Sequence, residues 1–246
     1  MSLPLSPSLV LEAKDLSLFR ASVPILEGVN FAIPPGLQVA VVGPNGGGKS
    51  TLLQALAQPV LPKASLKGCL KRAQGVQVAY LPQRSHAQRS FPLLVRDVVA
   101  GGVWHTLGPL RSLGLNHRHQ IDDALETVGL SGFALQPIGA LSGGQFQRVL
   151  FARLMVQEAS LLLLDEPLTG VDAATQKDLV ALIQKWHDES RTQLVVLHDL
   201  TLVRAVFPHT LLLARTFSCF GPTADVLTPE NLARASRQAQ MWEGGA

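Results

Sequence analysis

Gly43-Pro44-Asn45-Gly46-Gly47-Gly48-Lys49-Ser50-Thr51 stands between the apolar run Leu37-Gln38-Val39-Ala40-Val41-Val42 and the segment Leu52-Leu53-Gln54-Ala55-Leu56-Ala57. The run reads as a buried strand and the segment as a helix, which is the setting that the pattern G-x-x-x-x-G-K-[ST] requires. Glycines let successive backbone N–H groups curl round an anion without Cβ clashes. The helix N-terminus adds unpaired donors and a partial positive charge. Lys49 is spaced to reach the β- and γ-phosphates of a nucleoside triphosphate, and Ser50 to set its hydroxyl on Mg²⁺.

Two further strings extend this chemistry. Leu161-Leu162-Leu163-Leu164 reads as an uninterrupted apolar strand that delivers Asp165 and Glu166 at its end. Carboxylates at the end of a buried strand are costly without a task. Beside a phosphate loop, the first acid is expected to hold Mg²⁺ and the second to act as general base or to position the attacking water. Leu141-Ser142-Gly143-Gly144-Gln145 opens a second helix. Ser142 is placed to cap it, and the paired glycines leave its free N–H groups open to another phosphate.

The order of elements around these strings points to an α/β fold: a phosphate-loop core with an N-terminal antiparallel β subdomain and an inserted α-helical lobe. Leu9 to Phe19 and Ile25 to Ile33 alternate as half-exposed strands, and Pro34-Pro35-Gly36 turns the chain into the loop strand. Gln58 to Gly75 is expected to hold a short hairpin, and Val76 to Leu81 another strand ending at Pro82-Gln83. Helices are expected over Val95–Gly101, Arg118–Val128 and Gly144–Gln157, within a lobe spanning about 84–158. The core, about 9–83 and 159–232, resumes with Leu161–Asp165, a helix over Ala173–Glu189 and a strand at Leu194–Leu197 that ends at His198. A short helix over Leu200–Val206, strands at His209–Ala214 and Phe217–Phe220, and a C-terminal helix over about 229–240 complete a single domain.

Composition narrows the function. A chain of 246 residues with 47% hydrophobic and 16% charged residues buries a large core or docks on something apolar. The net charge of +3, with no dense Lys/Arg run, gives no case for nucleic acid. No apolar stretch is long enough to span a membrane, and Met1 to Ser8 reads as a loose tail rather than a signal peptide. Cys69 and Cys219 form no ligand spacing and suit a reduced compartment. His105, His117 and His119 match no common zinc pattern, and a loop or helix start is the expected setting.

Taken together, Gly43 to Thr51, Gln83, Leu141 to Gln145, Leu161 to Glu166, Asp172 and His198 resemble the nucleotide-binding subunit of an ABC transporter, in order and spacing, from about Leu9 to Leu232. The resemblance implies an ATPase using ATP and Mg²⁺, with Gln83 joining Ser50 and Asp165 around the metal and His198 touching the γ-phosphate. It implies a head-to-tail homodimer or pseudo-dimer, in which Leu141-Ser142-Gly143-Gly144-Gln145 of one subunit closes over the ATP held by the other and Asp172 crosses the interface. It also implies a separate integral membrane permease, indirectly an extracytoplasmic metal-binding protein, and a place on the cytoplasmic face of the inner membrane. The family's aromatic adenine contact falls on Arg20, or on Phe19 after a one-residue shift.

Pro82-Gln83-Arg84-Ser85, Phe91-Pro92-Leu93, Val95 to Val99 and Gly221 to Leu232 are similar to importers of zinc, manganese or chelated iron, with zinc ahead of manganese. Phe91 and its apolar neighbours would receive the permease's coupling helix, or would pack the lobe. The competing readings are a soluble ABC-type ATPase acting on DNA or the ribosome, and a regulatory subunit without turnover, which Glu166 and His198 argue against.

Overall fold

The computed structural model describes residues 9–58, 64–83, 91–104 and 113–243. Among them, in chain order, are β1 (Leu11–Arg20), β2 (Val23–Ile33), β3 (Gln38–Val42), α1 (Lys49–Ala57), β4 (Ala64–Arg72), β5 (Val78–Leu81) and α2 (Val95–Ala100). There follow α3 (Leu115–Thr127), α4 (Gly143–Met155), β6 (Leu161–Asp165), α5 (Ala173–Asp188), β7 (Thr192–Val196) and α6 (Leu200–Val206). The chain closes with β8 (His209–Ala214), β9 (Phe217–Pro222), α7 (Thr223–Val226) and α8 (Pro229–Glu243). The chain divides into two compact units, one within Met1–Pro82, Ser160–Glu166 and Trp186–Ala246, the other Gln83–Ala159 with Pro167–Lys185. The second unit therefore takes in a segment after the acids, beyond the 84–158 expected for the lobe.

The first unit holds two sheets. β2, β1 and β4 form an antiparallel sheet in the order β2-β1-β4. Alternation in β1 turns Leu16 and Leu18 inward, fully buried, while Arg20, on the same face, lies exposed at the strand's end. Ala21 and Ser22 carry the two-residue turn into β2 with φ of 47° and 68°, a doubly left-handed hairpin made without Gly or Asn. The hairpin expected between Gln58 and Gly75 is not present in the described part of that stretch, which forms the single strand β4 along β1. Gly68 causes the difference. A Cβ there would stand 2.2 Å from the Asp15 carbonyl oxygen, and the register shifts between Lys14 and Ser17. The glycine marks a bulge where two backbones approach closely, not a turn.

The second sheet runs β5-β6-β7-β3-β8-β9, parallel from β5 through β8, with β9 antiparallel at the edge. Val39–Val42, Leu161–Leu164 and Leu194–Val196 are buried throughout, as strands covered on both faces must be. The core joins the two sheets: Leu16, Leu26 and Ile33 pack in one cluster with Val39, Leu53, Leu163, Leu194 and Leu213.

The second unit is built on α2, α3 and α4, with a short 3₁₀ turn at Ile138–Ala140 before α4. Val95 N–H donates to Gln136 O and Ile138 N–H to Leu93 O, fastening the start of α2 to the approach of α4. Val95, Val99, Leu125, Ile138, Phe146 and Phe151 are buried in this unit. Gln147, 1% exposed, donates from Nε2 to the Pro167 carbonyl at 2.6 Å, holding α4 to the segment that leads into α5. Among the described residues no helix is long and apolar enough to cross a membrane.

Candidate active site

The strand order decides where chemistry gathers. β6, β7 and β3 are neighbours, so the chain leaves three adjacent strands at Asp165-Glu166, at Leu197-His198 and at Gly43. The carboxyl ends of parallel strands are where open α/β sheets bind ligands.

The phosphate loop is fixed against the rest of this unit. A Cβ on Gly43, at φ 145°, would stand 1.9 Å from the Leu213 carbonyl oxygen of β8. A Cβ on Gly48, the residue before α1, would strike the Leu26 side chain of β2 at 2.5 Å. Lys49 opens α1, is 5% exposed, and donates from Nζ to the Gly43 and Pro44 carbonyls at 2.9 Å each. Burial pushes its pKa below the usual lysine range, while the carboxylates of Glu166 and then Asp165 act in the opposite sense.

The acids lie against the loop. Ser50 Oγ donates to Asp165 Oδ1 at 3.0 Å, with Asp165 only 2% exposed. Glu166 Oε1 lies 2.6 Å from His198 Nε2. Glu166 adopts a left-handed backbone, φ 50°, a conformation that costs a non-glycine residue about 1–3 kcal/mol and collects at functional sites. Tyr80 on β5 is a member of this neighbourhood that sequence reasoning missed. Its phenol is pushed up to about 12, first by burial and then by the charge of Asp165, so it remains protonated near the acid. No local signal in the sequence marks it, since its nearness to Asp165 follows from the pairing of β5 with β6, the strand that carries the acids.

In the second unit, Ser142 caps α4 in a reciprocal box: Gln145 N–H donates to Ser142 Oγ at 3.1 Å and Ser142 N–H to Gln145 Oε1 at 2.9 Å. Leu141 anchors the cap at 3% exposure, and Gly143 begins the helix. A Cβ on Gly144 would meet Thr175 Oγ1 at 3.1 Å and Asp172 Oδ2 at 3.3 Å, so the helix start and the Asp172 turn are packed together. Thr175 N–H donates to Asp172 Oδ1 and its hydroxyl to Oδ2, each at 2.9 Å. These bonds, the backbone one first, hold the Asp172 carboxyl below its usual range. The side chain of Asp172 is thus engaged at the head of α5. Gln83 is exposed and belongs to this unit, whereas Ser50 and Asp165 belong to the first.

Of the two adenine candidates, Phe19 points to the outer face of its sheet, where the Lys67 ammonium sits 5.2 Å from its ring centroid. Arg20 follows on the face of Leu18 and ends β1 beside the Ala21-Ser22 turn. His117 and His119 lie in the first turns of α3, and no group of metal-ligating side chains forms among the described residues. His105 and Arg84-Ser85 lie outside the described residues.

The family model described as ABC transporter matches residues 26–169. The chain belongs to the ABC transporter family. A manganese transport system ATP-binding protein of Halalkalibacterium halodurans is 36% identical over 92% of this chain and 91% of its own length. A zinc transport system ATP-binding protein of Treponema pallidum is 40% identical over 91% of this chain and 85% of its own. A solved structure described as an inward-facing ABC transporter of metal-chelate type superposes with TM-score 0.82 and 28% identity, covering 93% of this chain and 89% of that one. As an ABC ATPase, the chain hydrolyses ATP. The α/β fold is the one expected from the order of elements in the sequence.

Proposed function

We propose that this ABC ATPase is the motor subunit of a bacterial importer for zinc or manganese, closing as an ATP-bound homodimer and driving a separate membrane permease from the cytoplasmic face. The observation that carries turnover, rather than binding alone, is the 2.6 Å Glu166–His198 pair beside the Ser50–Asp165 pair. Support for the cargo comes from relatives named for manganese and zinc transport that match over most of both chains.

In this reading the loop N–H groups and Lys49 hold the β- and γ-phosphates. A hydroxyl and a carboxylate oxygen 3.0 Å apart are the hard oxygen donors Mg²⁺ takes, so Ser50 and Asp165 fit that ion, with Gln83 as a further contact. When bound, Mg²⁺ neutralises charge on the phosphate oxygens. Glu166 accepts the proton of the attacking water, and His198 orients its carboxylate and faces the γ-phosphate. Arg20 stacks on adenine through its guanidinium plane. Ser142 to Gln145 of a second copy closes the site, and Asp172, fixed against Gly144, travels with that helix.

The second unit offers the permease a surface. Phe91 is 62%, Leu93 43% and Leu135 64% exposed, so they do not pack the lobe's interior. Exposed apolar side chains of this size mark interaction sites. A cavity of about 460 Å³ bounded by Leu135, Leu113, Arg96, Asp97, Arg118 and Asp122 lies in the same unit. The importer would receive its ion from an extracytoplasmic metal-binding protein.

Growth of a deletion strain in media depleted of zinc, of manganese or of chelated iron tests the reading. The strain is expected to fail in zinc- or manganese-poor medium and to recover with the wild-type gene, but not with Glu166→Gln. Failure confined to chelated iron favours the second reading, a chelate importer, to which the metal-chelate likeness points. Normal growth in all three contradicts both.

A further inference from the structure

Arg215 sits in the turn between β8 and β9 with a left-handed backbone, φ 53°. That conformation is unfavourable for any residue with a Cβ, and it persists where surrounding contacts over-determine it. The contacts here converge on the phosphate loop. Arg215 N–H donates to the Gly47 carbonyl at 3.5 Å, and the Arg215 carbonyl accepts from Glu27 N–H of β2 at 2.9 Å. The guanidinium follows the loop's tip: a Cβ on Gly46 would meet Arg215 Nη2 at 3.8 Å. The residues after it are held from α8. Thr216 Oγ1 donates to Gln238 Oε1 at 2.8 Å, and the Arg234 guanidinium lies 4.5 Å from the Phe217 ring centroid. Neither the glycine-lysine pattern nor the acids involve this turn.

We propose that Arg215 is a positioning residue for the phosphate loop, bracing Gly46 and Gly47 so that the loop's N–H groups are aimed before ATP arrives. Peptide geometry links the bond at Gly47 to the nucleotide. In a trans peptide the C=O of one residue and the N–H of the next point in opposite directions, and no cis bond occurs among the described residues. Holding the Gly47 carbonyl toward Arg215 therefore turns the Gly48 N–H the other way, away from the β8–β9 turn. The Leu213 carbonyl backs the same loop at Gly43 and Gly47, where a Cβ would stand 1.9 Å and 3.0 Å away. The turn is thus a floor under the loop, and the Arg215 side chain reaches round to the tip.

Steady-state ATPase kinetics on the full chain, with thermal melting, test this with Arg215→Gly and Arg215→Lys. Glycine accepts the left-handed backbone without strain, keeps the N–H bond to Gly47 and removes only the guanidinium beside Gly46, so folding should survive, melting should stay within about 4 °C of wild type and any change reports the side chain's part of the brace. A loop aimed before ATP binds holds the ground state and transition state alike. KM for ATP should therefore rise about five- to tenfold in Arg215→Gly with kcat changed less than about twofold. Arg215→Lys, which keeps a long cationic side chain, should return KM to within about twofold of wild type. The proposal is overturned by an unchanged KM in Arg215→Gly, by a KM in Arg215→Lys as high as that of the glycine variant, or by a fall in kcat and melting temperature with KM unmoved.

Discussion

Glu166→Gln is expected to bind ATP normally and to lose about two to four orders of magnitude of steady-state hydrolysis, the range general-base removal covers. The substitution is close to isosteric. The amide oxygen can still accept a hydrogen bond from His198 where the carboxylate now lies 2.6 Å from Nε2. The phosphate loop, Ser50 and Asp165 keep their contacts with one another. What disappears is an oxygen basic enough to take a proton from water. The defect should therefore fall on kcat with little change in KM, and phosphate release measured over a range of ATP concentrations separates the two. Hydrolysis within about tenfold of wild type would mean that another group activates the water.

Lys49→Ala is expected to act on the opposite parameter. Lys49 Nζ is held at 2.9 Å from two loop carbonyls, nearly excluded from solvent, with the acids opposing its desolvation. A charge-assisted hydrogen bond to phosphate is worth about 1.5–3 kcal/mol, or roughly ten- to a hundredfold in Kd. Alanine also removes the donor shared by the Gly43 and Pro44 carbonyls, so the loop loses an internal tie as well as a ligand. Titration with a fluorescent ATP analogue should show that weakening, and unchanged affinity would place the triphosphate elsewhere.

Much of this site was legible because its parts are local. The phosphate loop, the acid-bearing strand and the Ser142–Gln145 capping box each depend on a few residues at fixed spacing, and the structure builds each one where that spacing predicts. What escaped the sequence depends on which strands become neighbours. The Glu166–His198 contact exists because β6 and β7 pair, and Tyr80 approaches Asp165 because β5 pairs with β6. No local periodicity carries that information. The hairpin expected within Gln58 to Gly75 failed for a related reason: glycines in a mixed stretch read as turns, and only the approach of β1 makes Gly68 a bulge. The Ala21-Ser22 turn lacks the Asn or Gly that announces a doubly left-handed hairpin. The face of Phe19 follows from strand alternation, but the cation over its ring follows from the pairing of β1 with β4, which brings Lys67 there. Asp172 was read by its place in a pattern, whereas its carboxylate is engaged by Thr175 at the start of α5.

In the proposed dimer the phosphate loop is half a site, and Ser142 to Gln145 of another copy completes it. Lys49→Ala damages one half and Ser142→Arg the other, each in its own chain. Placed separately in the Glu166→Gln background with distinguishable labels, neither variant should self-associate on addition of Mg²⁺ and ATP. Mixed together they can form one intact site, from the loop of the Ser142→Arg chain and the capped helix of the Lys49→Ala chain. Sedimentation of the mixture is the most direct measurement. The mixture should give an ATP-dependent species of twice the monomer mass that contains both labels; ATP-dependent dimers of Glu166→Gln alone, with none in the mixture, would mean that the two halves do not form one site.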